Sequence, residues 1–453
     1  TGSARGLEIS TQAPGFVLAV DSITFRGLTP GATAIHFLGG TFRSTFTLAN
    51  FEDASIGANV SGAALDPASR ISMFYHYGSR TGSTYENDPG ALVGWEAGPY
   101  PGCAVTNNVG AGQLYGTISE GVAALPPSLP GRSCVVIRDG AIYNEKVTVQ
   151  GFTNNGSSIT IFADPATGLR PSLVTNEGGL AALNIANQLV VVSGIQVSPF
   201  VATQYGIYIS SPNVTISSVS VLDSMSMISA AGIAASSWTT VSYTSVTVFQ
   251  VNAAAIWLQG STMTTVSYST AANNSGGKPA LFLDGASSNT ITGVTATNGA
   301  AAGNAVLIQN GGYNTVSQSS VSVQSTAFAA FYMGGSSFNA VTQSYMMGGS
   351  YGLYASASDS NTVTNGYLWG VVEGVHLSAG ADSNVISLST MIGRDAIGFY
   401  AVAADSNIVA NSVLWGGGVG AYIDGGSDYT VISQSNIQGV SEGVRLNTGS
   451  NYN

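Results

Sequence analysis

The stretch Asp359–Gly370 reads DSNTVTNGYLWG, Asp382–Gly393 reads DSNVISLSTMIG and Asp405–Gly416 reads DSNIVANSVLWG. Asp-Ser-Asn thus returns every 23 residues, each time ahead of alternating apolar positions. Repetition at this period marks stacked units that cannot bury their apolar faces alone. The apolar residue after each turn extends the series: Ile216, Val241, Val266, Ile291, Val316, Val341, Val363, Ile386, Val409 and Val431, at steps of 25, 25, 25, 25, 25, 22, 23, 23 and 22. The units lack helical spacing and are full of Thr, Val, Ser and Gly, which excludes stacked helix pairs. Each fits one coil of a right-handed parallel β-helix, with three short strands and three bends per 22–25 residues. The expected fold class is therefore all-β.

Asn289, Asn314, Asn339, Asn361, Asn384 and Asn407 fall at equivalent bends, just before a strand. Asn tolerates the left-handed conformation of a sharp bend, and its amide can bond the Asn of the next coil. Stacked at ~4.8 Å, such amides form a column worth about 1 kcal/mol net per bond. Trp238, Met263 and Tyr429 stand close to where the Asn belongs. The column is expected to break there.

A second strand recurs with inward pairs such as Ile207/Ile209, Ile256/Leu258, Leu281/Leu283, Val306/Ile308, Phe331/Met333, Val375/Leu377 and Val444/Leu446. Period-two alternation turns the residue between each pair outward. Reading one per coil gives an aromatic stripe, Tyr208, Trp257, Phe282, Tyr332, Tyr354, Tyr400 and Tyr422, with Ala234, Leu307, His376 and Arg445 filling the column. A contiguous exposed stripe is the candidate binding surface, for another subunit or for a glycan. Stacked rings that only stabilise the sheet, at roughly 0.2–1 kcal/mol per pair, are the competing reading. Met347, Trp369 and Trp415 form a further column, or pack at a corner.

The 453 residues carry 12 Lys and Arg and a net charge of -11, which argues against nucleic acid as a partner. No apolar run approaches the ~20 residues of a membrane helix. The chain begins at Thr1 without a leader, so an export signal has been removed or the chain is part of something longer. Cys103 and Cys134 cannot build a four-ligand zinc site. A disulfide is preferred over two free thiols, which places the protein outside the reducing cytosol.

Near the start, Ile23, Phe46 and Ile71 recur at steps of 23 and 25. Residues 1–79 are expected to form the closing coils of a separate or upstream β-helical block. Residues 80–133, holding Pro89, Trp95, Pro99, Pro101 and Cys103, read as linker and cap, and 134–453 as the main helix.

The segment Leu114–Phe152, LYGTISEGVAALPPSLPGRSCVVIRDGAIYNEKVTVQGF, resembles the opening of pectin-esterase and pectate-lyase-like β-helices. The resemblance implies a short amphipathic helix plugging the stack, with Ile118, Val122 and Leu125 buried, then a strand motif carried by Tyr143, Glu145 and Val147. The later coils are similar to repeats of large bacterial surface and secreted proteins, which implies an extracellular or cell-surface location. The catalytic motifs of pectin esterases and polygalacturonases have no counterpart. Between Arg170 and Arg394 the one cation is Lys278, so a calcium-dependent lyase would lack its base.

Asp359, Asp382, Asp405 and Asp428 recur as an acidic column, read as turn-capping side chains, with calcium as the alternative. Arg138-Asp139 and Arg394-Asp395 read as solvated neighbours on opposite strand faces, and Glu442 with Arg445 as a further isolated pair. His376 takes an outward position with no Ser or Cys partner implied. No nucleophile-base-acid set assembles, so no catalytic residue, metal or cofactor is expected. The expected function is a non-enzymatic structural or adhesive rod, part of a larger surface protein or filament, that contacts its own copies or glycans. Uncapped ends suggest head-to-tail contact. The competing class is a polysaccharide lyase or hydrolase on the same fold.

Overall fold

The computed structural model describes residues 102–453 apart from 166, 276, 300–302 and 448, together with residue 100. Before residue 98 it describes eleven strands and Leu38. From Val105 onward the chain winds as a parallel β-helix, each coil sending one strand to each of three sheets. The first sheet begins at Val105–Val109 and holds fourteen strands. The second begins at Ile142–Asn144 and the third at Val147–Val149, with thirteen strands each.

Strands two to eight residues long, rich in Val, Ile and Thr, suit this course because one face of each packs on the coil interior. The register runs Ile216, Val241, Val266, Ile291, Val316, Val341, Val363, Ile386, Val409 without a slip. All nine are buried. The last step reaches Ile432 rather than Val431, which is half-exposed and pairs with Ile408. A one-residue slip exchanges inside for outside, so the expected partner was displaced by a single position.

The inward pairs of the third sheet from Ile207 to Leu377 are buried, each Ile or Leu contributing about 1.5–3 kcal/mol. Val444 and Leu446 keep the register with Ala421 and Ile423 but are exposed. The change in period from 25 to 22 falls in the connection between the second and third sheets. Strand Ser320–Val323 leads to Ala329, whereas strand Tyr345–Gly348 leads to Tyr351.

At the bends, the left-handed residue precedes the Asn. Ser288, Tyr313, Phe338, Ser360, Ser383 and Ser406 have φ of 57, 60, 60, 56, 57 and 57°, and the Asn itself is not left-handed. Its contribution is the side chain. The amide of Asn289 donates to Asn314 Oδ1 at 2.9 Å, and the pattern continues through Asn339, Asn361, Asn384 and Asn407 at 3.0–3.2 Å. The same oxygens accept the backbone N–H of the preceding coil's Asn.

Trp238, Met263 and Tyr429 occupy the left-handed position, so the Asn column passes through Thr239, Thr264 and Thr430. It does not break at Met263, because the Thr264 N–H donates to Asn289 Oδ1 at 2.8 Å. At the other end Thr430 Oγ1 is buried without a partner, and the Asn407 amide turns to the Ala404 carbonyl. The acidic column explains the recurring Asp. Asp359, Asp382, Asp405 and Asp428 each accept the backbone N–H of the residue one coil on, at 2.6–3.1 Å. The carboxylate caps the neighbouring coil rather than its own turn.

In the first block, Phe46 pairs with Val20 and Met73 rather than with Ile23 and Ile71. Its strand pairing continues to Val93–Ala97, past residue 79. Strand Val105–Val109 already heads the first long sheet, inside the span read as linker. Pro89, Pro99 and Pro101 lie outside the described residues.

Helix Ile118–Ala123 starts at an N-cap Thr117 with a capping box to Glu120, and Ile118, Val122 and Leu125 are buried. The Glu145 carboxylate accepts the N–H groups of Ile118 and Ser119 at 2.7 and 2.8 Å, which seats the plug on the stack. Cys103 and Cys134 form a disulfide. Arg138 is not a solvated neighbour of Asp139. It is buried against Asp164 at 2.6 Å and Asn108, because Arg138 and Asp164 each stand one residue past the paired strands that end at Ile137 and Ala163. Arg394 and Asp395 pair with each other at 2.7 Å, because they sit in a turn where strand alternation does not apply. Among the described residues no helix is long and apolar enough to cross a membrane.

Candidate binding face

The outward column of the third sheet is continuous. Tyr208, Ala234, Trp257, Phe282, Leu307, Tyr332, Tyr354, His376, Tyr400, Tyr422 and Arg445 are successive register partners. The stripe is, however, not an exposed one. Phe282 is 4% exposed, and Tyr208, Trp257, Tyr332, Tyr354, Tyr400 and Tyr422 are half-buried.

Two causes act. In the 25-residue coils the long connections wall the stripe, and Lys278 Nζ lies 5.1 Å over the Phe282 ring in a cavity of about 360 Å³ bounded by Leu307, Gln309 and Phe328. In the shorter coils the rings cover one another. Tyr332 and Tyr354 stack at 4.8 Å and Tyr400 meets Tyr422 at 5.1 Å, while in the 25-residue coils Trp257 and Phe282 also stack, at 5.9 Å. Part of the aromatic content is thus internal packing.

Beside His376 the stripe becomes chemically mixed. His376 Nδ1 lies 2.5 Å from Glu373 Oε2, with the two side chains 13% and 9% exposed. The imidazole also meets Tyr351, Tyr354 and Tyr400 edge-on at 5.1, 4.7 and 5.0 Å. Alternation along a strand would set residues three apart on opposite faces. Here Gly374 lies between them where the strand crosses the second sheet, and a Cβ at Gly374 would stand 2.5 Å from Ile392 N. The path bends, and residue i joins residue i+3 outside. Tyr205 stacks on Tyr208 at 4.7 Å and Tyr351 meets Tyr354 at a tilt, 5.1 Å between ring centres, by the same bend, across Gly206 and Gly352. The sequence signal was available: Gly or Ala precedes the inward pair in most coils.

The electrostatics follow from this crowding. Burial raises the Tyr351 hydroxyl above the ordinary phenol value, with Glu373 adding to it. Burial likewise raises Tyr400, reinforced by Asp424, Tyr422 and Glu373. Burial pushes Asp424 upward, but hydrogen bonds from Tyr422, Gly425, Asn447 and Tyr400 outweigh it and hold the carboxyl below its usual range. The Tyr422 hydroxyl donates to Asp424 at 3.0 Å. A carboxylate fixing Nδ1 orients the imidazole, and Nε2 has no hydrogen bond among the described residues. The face therefore offers ring faces, phenol hydroxyls and one oriented imidazole. Among the described residues no three His, Cys, Asp or Glu side chains converge as a metal set.

Residues 293–453 match the model of a family described as periplasmic copper-binding protein (NosD). No curated protein matches the chain. Among solved structures, the A-module of mannuronan C-5 epimerase AlgE4 from Azotobacter vinelandii is similar at 12% identity and a TM-score of 0.43, over 71% of this chain and 91% of that one. DFA-IIIase from Arthrobacter chlorophenolicus A6 is similar at 13% identity and 0.41, over 76% and 92%. Tailspike protein 2 of the Escherichia coli O157:H7 bacteriophage CAB120 is similar at 15% and 0.39, over 65% and 40%. These likenesses carry nothing about activity. The three in-register parallel sheets make this chain a parallel β-helix protein.

Proposed function

We propose that the chain is a β-helical rod that works outside the reducing cytosol and holds a saccharide along the outward face of its third sheet. The observation that carries this reading is the Glu373–His376 pair set among Tyr351, Tyr354 and Tyr400. Rings alone would suit any apolar partner, whereas rings with oriented polar groups suit sugar carbons and hydroxyls together. The net charge of -11, with Glu373 and Asp424 on the face, favours an uncharged glycan over a uronate polymer. Titration calorimetry with cellohexaose and xylohexaose is expected to show binding that Tyr400→Ala and His376→Ala each weaken about tenfold, roughly 1.4 kcal/mol. Equal affinities for both variants and the parent chain would overturn the reading.

A second reading, a carbohydrate-active enzyme, is favoured by the free Nε2 of an imidazole whose Nδ1 is held by a carboxylate. That arrangement serves proton transfer to or from a glycosidic or ring position. Chain shortening of a neutral polysaccharide, lost in Glu373→Gln with the glycan still bound, would select it over the rod. The disulfide agrees with a periplasmic or extracellular location. Copper does not fit. Across residues 293–453 the one His is His376, there is no Cys, and of the four Met three, Met333, Met346 and Met391, are buried in the core, which leaves Met347 as a lone exposed thioether. The rod's role as part of a larger surface assembly or filament remains part of this proposal, and sedimentation of the purified chain tests it.

A further inference from the structure

The second sheet carries a face that the reading above leaves unused. Its outward positions are Ser and Thr in most upstream coils, with Ser245, Thr270, Thr295 and Ser320 in one column and Thr247, Thr297 and Ser322 in the next. In the next four coils the same register positions become Tyr345, Tyr367, Thr390 and Val413 in one column. The adjoining column becomes Met347, Trp369, Ile392 and Trp415. The fold does not require this change, because the Ser and Thr coils stack in the same register. Met347, Trp369 and Trp415 therefore do not pack at a corner. They stand on a sheet face, with Met347, Tyr345 and Tyr367 exposed and Trp369 and Trp415 half-exposed.

We infer that this face binds an uncharged, β-linked polysaccharide presented as a flat, ordered surface. Three observations point to that occupant. The first is shape: strands Tyr345–Gly348, Tyr367–Gly370, Thr390–Gly393 and Val413–Gly416 are equal in length and in register, so the face is level. Trp369 and Trp415 are two strands apart, ~9.6 Å, close to the length of a disaccharide. The second is charge: none of the eight outward residues is ionisable at neutral pH, and the bordering column of the same four coils is also uncharged, with the amides Gln343, Asn365 and Asn411 and one apolar residue, Leu388, all exposed. Gln343, Asn365, Tyr345 and Tyr367 line one shallow groove. Uncharged amides beside rings match hydroxyls beside C–H faces, and repel neither. The third is extent: four strands are three spacings from first to last, ~14 Å, so the face is small. A stable protein partner needs about 800 Å² per side, whereas a glycan is served by this width.

The proposal is independent of the Glu373–His376 face, and the experiment keeps the two apart. The purified chain is mixed with microcrystalline cellulose and with chitin powder, and its depletion from solution is measured. Trp369→Ala and Trp415→Ala are each expected to lower the partition coefficient about tenfold, with thermal midpoints near that of the parent. Thr270→Ala, an exposed position upstream in the same sheet, is expected to leave it unchanged. Binding that survives both Trp substitutions, or that Tyr400→Ala alone removes, overturns the proposal and leaves the third-sheet reading standing. No binding by the parent chain, with a concentration-dependent mass in sedimentation that the Trp substitutions abolish, also overturns it and assigns the face to a second copy.

Discussion

Phe331→Ala lowers the stability of the coil stack by about 3–5 kcal/mol, as judged by the shift in urea unfolding midpoint. Phe331 is fully buried, and its ring fills the coil interior between its register partners Val306 and Leu353. Parallel strands at fixed ~4.8 Å spacing cannot close toward an empty site without losing backbone hydrogen bonds along the ladder. The cavity therefore persists, which places the loss toward the upper part of the large-to-small range. Because each coil touches only its neighbours, the damage is local, and amide exchange should quicken first in strands Val306–Gln309 and Tyr351–Ser356. A midpoint shift worth less than about 1 kcal/mol, or exchange that quickens uniformly, would contradict the stacked-coil account.

Asn361→Asp is the second substitution of large effect, although it changes one atom. Asn361 Oδ1 accepts from the backbone N–H and the amide of Asn339, and its own amide donates to the Ser336 carbonyl at 2.9 Å and to Asn384 Oδ1 at 3.1 Å. A carboxylate keeps the first two bonds and faces two acceptors with no proton to offer. The site is 1% exposed, so the charge is desolvated as well. The expected loss is about 3–5 kcal/mol at neutral pH. An acid disfavoured in its charged form has a folded-state pKa above its unfolded one, so the loss is present above that folded value and shrinks as pH falls through it. A deficit of the same size at pH 4 and pH 8 would show that the amide ladder does not contribute as described.

The coil period, the parallel course and the inward aliphatics were legible in the sequence, because a repeat of 22–25 residues with period-two alternation leaves few ways to bury apolar side chains. The Asn and Asp columns were legible as positions but not as bonds. Asn looks like the left-handed residue by propensity, yet Tyr313 and Phe338 accept that conformation so that the Asn amide can point along the stack. Arg138 illustrates the same gap. Its neighbour in sequence is Asp139, whereas its partner is Asp164, one coil on.

At the candidate site the gap was wider. Strand alternation separated Glu373 from His376, and only the crossing at Gly374 brings them to one face. Likewise, the stripe from Tyr208 to Tyr422 was read in the correct register, but its exposure was not, because the walls are connections whose course the repeat does not encode.

By itself, then, the sequence determined which residues lie atop one another, since stacking is set by spacing along the chain. The tertiary structure alone decided which of them see solvent, which i and i+3 pairs share a face, and which coil satisfies each buried polar atom. Those outcomes depend on close approach between separate coils and sheets, a distance of a few ångströms that local spacing does not specify.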